Sequence, residues 1–262
     1  MFNRASMKRL IGLYIVLAFS LTLPAQTTAE GQETEIFRAV ADMRVQIARI
    51  ARDKIYEIYY PRFPLLAPDL ADAVRMAEKH AVIMETYAQK HPFLNQAVDV
   101  WNNLRFHTME KLTAKKFVKF YYDTRTLDNL LNISLDRLEE IYPSSDRGRT
   151  EFRKQKDFQT GVFRLNTGYM TRKYAVAKSL ENLENREIER LEKQTFQYAK
   201  NRGYFQSPGK AEMLAALLND WNFLKYNLHN ALFPADRIVF SVSNSLRKRT
   251  ERLIRANLNA RP

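Results

Sequence analysis

Cysteine is absent from all 262 residues, so neither a disulfide nor thiolate chemistry can be part of the answer. Only seven glycines and nine prolines punctuate the chain, which favours long helices over sheets. There is no Gly-rich phosphate loop and no nucleophile elbow. The four histidines, His80, His91, His107 and His229, have no HxxxH or HExxH spacing, so neither a metal nor another cofactor is expected. Acid pairs such as Glu139–Glu140, or Asp99 with Glu110, sit among bases and read as solvated helix faces rather than general acid/base pairs. These absences point away from an enzyme. An enzyme acting on cell-wall material would need two carboxylates facing each other across a cleft.

What is present is enough apolar material for a core: 45% of residues are hydrophobic and 12% aromatic. The N-terminus reads "MKRLIGLYIVLAFSLTLPAQTTA", with Lys8 and Arg9 ahead of an apolar run from Leu10 to Leu23 and then small residues. That is the pattern of a secretory signal peptide over 1–29, too short to span a bilayer and followed by no cysteine for a lipid anchor. Export to the periplasm is the expectation. Formal net charge is +13, and removing Arg4, Lys8 and Arg9 with the leader leaves +10. Such a surface ordinarily suggests nucleic acid. An exported protein rarely meets it, so no nucleic acid is expected, and a small anion or an anionic envelope polymer becomes the better partner.

After the leader, hydrophobic periodicity is helical almost throughout. Ile36, Val40, Met43, Ile47 and Ile50 step by four and three, a bundle seam that also allows pairing with a second copy as a homodimer. "YYPRFPLLAP" stops this helix at Pro61. Further helices are expected over about 69–90, 93–112 and 114–142, then a turn at "PSSDRGR". One long helical stretch over about 150–201 follows, with Leu180, Leu183, Ile188, Leu191 and Phe196 as its apolar stripe. Another helix is expected over about 211–232, and Pro234 opens the last. The fold class is therefore all-α, a bundle of long helices.

Two short echoes suggest tandem repeats over 30–145 and 146–262. "VDVWNNLRFH" resembles "LNDWNFLKYN", aligning Trp101 with Trp221, and "NLLNISLDRL" resembles "NSLRKRTERL". Matched tryptophans on amphipathic helices indicate core packing more than a stacking platform. The run "FVKFYYDT" (117–124) likewise reads as packing between helices.

The stretch "MRVQIARIAR" holds the most pointed chemistry. With Met43 and Ile47 on the seam, Arg44 flanks it and can project into a groove, while Arg38, Arg49 and Arg52 are placed towards the outer face. A planar guanidinium in a groove makes bidentate bonds with flat oxyanions. The alternative is that these arginines snorkel or pair with nearby acids such as Asp42 and Asp53.

This helix resembles that of the type IV pili methyl-accepting chemotaxis transducer N-terminal domain family, itself related to the sensor domain of nitrate/nitrite histidine kinases. The family helix has the form N-x-A-G-x-x-R-M-x-x-Q-R-x-A-K. Arg44, Arg49, Ala51 and Arg52 match it, whereas Arg38, Ala41 and Ala48 replace the asparagine, glycine and glutamine. In the second half, "LNTGYMTRKYAVAK" matches through Asn166, Gly168 and Ala177–Lys178, with Arg172 near the key arginine position. The resemblance implies a ligand-binding, sensor-like module, with Arg44, Arg49, Asn166 and Arg172 as candidate ligand-binding residues. It would take a small anion and report to a membrane signalling or pilus-related protein partner. The competing expectation is an envelope adaptor that holds a protein or an anionic polymer through its basic surface.

Overall fold

The computed structural model describes residues 29–143, 147–176, 184–201, 203–206, 208–229 and 235–259. The expected leader therefore lies outside the described residues apart from Ala29, as do Ala177–Lys178, Leu180, Leu183 and Pro234. Among the described residues there is no strand, and the chain is an all-α bundle of eight helical rods. In the first half these are α1 (Ala29–Tyr59), α2 (Leu66–Ala88), α3 (Asn95–Met109) and α4 (Ala114–Ile141). In the second they are α5 (Arg147–Lys173), a rod over 184–201, α8 (Pro208–His229) and α9 (Asp236–Asn259). The rod over 184–201 is α6 (Glu184–Leu191), a π-helical turn (Glu192–Gln197) and α7 (Tyr198–Asn201). No helix among the described residues is long and apolar enough to cross a membrane.

Proline ends α1 as its sequence requires, and the Thr113 side chain caps α4 by accepting from the Lys116 amide at 3.3 Å. The described residues from Ile36 onward pack as one unit, so the two candidate repeats share a single core rather than forming separate bundles. Trp101 and Trp221 are both fully buried in it. Each indole N–H donates to a glutamate of an earlier helix: Trp101 to Glu78 at 3.5 Å and Trp221 to Glu192 at 3.1 Å.

Two expectations need correction. The first concerns the seam helix. From Ala39 to Tyr56 every residue of α1 except Asp42 is buried, so α1 is a central helix with no outer face along that length. Arg49 and Arg52, expected outside, are inside; only Arg38 is exposed. The second concerns the long helix over 150–201. It breaks after Lys173, where Ala175 adopts φ +47° and the Val176 amide donates to the Thr171 carbonyl at 2.9 Å. That is a Schellman C-cap with alanine at the position where glycine is usual, so no glycine or proline signals the stop.

Gly161 sets a close approach in the middle of α5. A Cβ there would lie 2.4 Å from a Leu191 methyl carbon and 2.9 Å from a Glu187 carboxylate oxygen. Leu191 is fully buried and cannot swing away. The ordinary preference for alanine over glycine should therefore reverse at both positions. Gly161→Ala should lower stability by about 1–3 kcal/mol despite better helix propensity. Ala175→Gly should raise it by about 1 kcal/mol by relieving the left-handed conformation. Thermal unfolding of the two variants beside the parent chain checks both signs.

Candidate functional site

A central helix bearing arginines must supply each with acceptors, since an unpaired charge in the core costs several kcal/mol. Arg52, fully buried, uses every N–H of its guanidinium. Nε donates to Asp53 at 2.8 Å, Nη1 to Ser243 Oγ at 3.0 Å and Asn244 Oδ1 at 2.7 Å, and Nη2 meets Asp53 and Asp69. Its flat faces lie against the rings of Phe163 and Phe240, 4.5 and 4.1 Å from their centroids. Arg49 grips Asp69 through Nε and Nη2, at 3.2 and 2.5 Å, and reaches Asp72 at 2.8 Å. Burial works against the charge of Arg49, yet these carboxylates outweigh it and push its pKa above the ordinary arginine value. Burial would raise Asp69 as well, but the Arg49 hydrogen bonds and the charge of Arg52 hold it at about 2.

Arg44 is buried between two carboxylates, donating from Nε to Asp128 at 2.9 Å and from Nη1 to Asp157 at 2.5 Å. Asp128 also meets Arg164, whose pKa burial and the charge of Arg125 press down to about 9. Arg44 thus joins α1 to α4 and α5. Asn166 is fully buried: it accepts from the Tyr56 hydroxyl at 2.9 Å and donates to the Val239 carbonyl and Ser243 Oγ at 3.3 and 3.0 Å. Arg172 is exposed at the end of α5 and donates to the Leu228 carbonyl at 3.0 Å. The four candidate ligand residues therefore do not converge on one cavity. Three of them are partners within the core, spread along α1 and α5.

What the fold does open is a cleft of about 570 Å³ lined by Glu139, Arg149, Arg153, Lys154, Asp157 and Gln194. It lies between the end of α4, the first turns of α5 and the π-helical turn. Asp157, the more exposed acceptor of Arg44, forms part of its wall. Arg153 is committed to Glu139 and Asp136, each at 2.5 Å. Arg149 donates to the Tyr142 carbonyl at 2.8 Å, and the Lys154 ammonium stands 4.2 Å from the centre of the Tyr198 ring. Neither Arg149 nor Lys154 makes an ion pair among the described residues. The sequence reading missed both, because "RGRTEFRKQKD" carries basic residues at several spacings and nothing local separates the committed ones from the rest.

A second polar cluster closes the opposite end of α5. Asp236, at the first turn of α9, accepts from Tyr169 at 2.7 Å, Tyr174 at 2.9 Å, Lys173 at 2.5 Å and the Tyr60 hydroxyl. Burial opposes its ionisation, but these donors hold its carboxyl below the usual range. The cluster ties the C-termini of α1 and α5 to the N-terminus of α9. No family model, no curated protein and no solved structure matches the chain.

Two outcomes follow from the buried charges. Arg44→Ala leaves Asp128 and Asp157 in place without their common partner, and should cost about 3 kcal/mol of stability. Arg38→Ala, on the exposed face, should stay within about 0.5 kcal/mol by the same denaturant titration. Asp53 gives a pH signature. Its Oδ1 is held by Arg52, its buried Oδ2 has no partner, and burial raises its pKa to about 7 against the pull of Arg52. The folded protein then keeps a proton that the unfolded chain has released, so this contribution to stability falls as pH rises from about 4 to about 7 and is level above. Asp53→Asn carries no such proton. Its stability relative to the parent should therefore improve from about pH 5 to about pH 8, and a difference independent of pH would show Asp53 ionised throughout.

Proposed function

We propose that the chain is a non-enzymatic ligand-binding module of the cell envelope, taking a small anion in the cleft at Arg149 and Lys154 and reporting to a membrane partner. The observation behind this reading is the pairing pattern. The buried cations Arg44, Arg49, Arg52, Lys54 and Lys156 are each ion-paired with a carboxylate, whereas Arg149 and Lys154, half-buried at a roomy polar cleft, are not, although Glu139 and Asp157 stand in its walls. An oxyanion there meets a guanidinium and an ammonium at a partly desolvated wall, where charge-assisted hydrogen bonds are strongest. The signal-like leader and the resemblance to a sensor family support an exported sensor-like role. The recognition residues differ from the family's, since Arg44 stands behind Asp157. The shared order of four rods per half, with a buried tryptophan donating to glutamate in each, supports descent from a duplicated unit.

One observation favours the adaptor reading instead. Phe106 and Tyr226, each five residues after its buried tryptophan, are 64% and 66% exposed. Aromatic rings left in solvent at matching places suit docking to another protein.

Thermal unfolding across a panel of small anions at fixed ionic strength separates the two. An anion at about 100 times its dissociation constant should add about 2.7 kcal/mol, a shift of several degrees. The shift should vanish in the Arg149→Ala/Lys154→Ala double variant. No specific response from any anion, or a shift that survives in the double variant, would sink the cleft reading.

A further inference from the structure

Met109, the last residue of α3, is 82% exposed, the most of any large apolar side chain among the described residues. Phe106, one turn earlier, is 64% exposed. Neither owes this to fraying. Buried Lys54 of α1 donates to the Thr108 and Glu110 carbonyls at 3.3 and 2.5 Å, so an ammonium closes the C-terminus of α3 and pins it to the central helix. A fixed backbone thus holds both apolar side chains in solvent, at the corner where α3 gives way to α4.

The charge around them is largely of one sign. Lys111 in the connection, and Lys115 and Lys116 in the first turn of α4, are exposed and make no ion pair among the described residues. Lys119, one turn on, pairs with Asp123 of its own helix at 2.7 Å, and Tyr122 is 47% exposed. From Arg105 to Asp123 five basic side chains stand against two acids, Glu110 and Asp123. Tyr226, the counterpart of Phe106, has no such fringe on α8: Lys225 beside it is paired with Glu192, and Asn219, Asn222 and Asn227 are neutral.

We propose that the α3–α4 corner docks the protein on an anionic bilayer. Phe106 and Met109 enter the interfacial region, and the lysines reach lipid phosphates while their alkyl stems extend the apolar surface. Lysine is depleted from protein–protein interfaces, whereas anionic headgroups attract it, so the fringe favours lipid over a protein partner. The corner is independent of the anion cleft, which lies at the other end of α4, a helix of 28 residues and about 40 Å.

The test is sedimentation of the chain without its leader, which keeps every core residue from Ile36 onward, with lipid vesicles. Vesicles with about one-third phosphatidylglycerol should bind it about a hundredfold more tightly than phosphatidylcholine alone, less so as salt rises. Lys111→Gln/Lys115→Gln/Lys116→Gln should remove most of that preference, at about fivefold per lysine. The same charge removed at exposed Lys193, Lys200 and Arg252 should cost about twofold at most. Phe106→Ala/Met109→Ala should weaken binding to both vesicles about tenfold. All these side chains are exposed, so thermal unfolding should be unchanged. With no cysteine in the chain, Met109→Cys can carry a polarity-sensitive dye, whose emission should shift to the blue on anionic vesicles. The same dye at Tyr226→Cys should not respond. Binding unaltered by either corner variant, or an equal dye response at both places, would overturn the proposal. Failure to bind anionic vesicles would also overturn it and leave the exposed rings to a protein partner.

Discussion

Arg52 is the constraint on which the rest of the bundle turns. A guanidinium with no exposure at all must satisfy five N–H groups and two apolar faces at once. The side chains that do so come from α1 itself, α2, α5 and α9. Asp69 supplies the opposite charge, Asp53, Ser243 and Asn244 the remaining acceptors, and Phe163 and Phe240 close over the plane. Hydrophobic burial alone tolerates sliding of one helix along another, since an apolar ridge finds a new groove one turn away. A saturated arginine does not, because a slide of one turn strands every donor. The register of four helices is thus fixed by one side chain, and Arg44 and Arg49 repeat the device towards α4 and α2.

The fold class was legible because it depends only on period and punctuation. Pro61 stops α1, and the 3.6-residue stripes run long without any alternating strand pattern. What could not be read was that α1 has no outward face over 39–56, because a seam of Ile36, Val40, Met43, Ile47 and Ile50 says only that one face is buried. The arginines sit on the other faces, and ordinarily that means solvent. Here carboxylates from distant segments meet them: Asp128 lies 84 residues from Arg44 and Asp69 lies 20 residues from Arg49. No local pattern reveals such pairing. The break after Lys173 was hidden for a related reason. Alanine at 175 is held in a glycine-like conformation while the neighbouring Tyr174 hydroxyl is bound to Asp236, so the stop is written in tertiary contacts rather than in the turn.

The arginine motif found in the sequence and the cleft found in the structure are two ends of one chain of contacts. Arg44 touches Asp157, and Asp157 is a wall of the cleft that Arg149 and Lys154 line. Among the carboxylates that hold Arg44, Asp128 has 6% of its side chain exposed and Asp157 21%. The inner contact is shared with Arg164, whereas the outer one borders solvent.

Coupling between a ligand and a distant partner requires an element with two discrete arrangements that the ligand biases. Under the proposed function, Asp157 is the group best placed to be that element. A bound anion adds negative charge beside its carboxylate and repels it towards Arg44. Arg44 belongs to α1, whose Arg49 and Arg52 are buried in paired contacts that fix it to α2 and α9. A displacement imposed at Asp157 is therefore passed along a rigid central helix instead of being absorbed locally, because the pairs further along have no slack to take it up. The buried arginines that look like a ligand site in sequence are, on this argument, the part of the molecule that makes a ligand at the surface felt in the core.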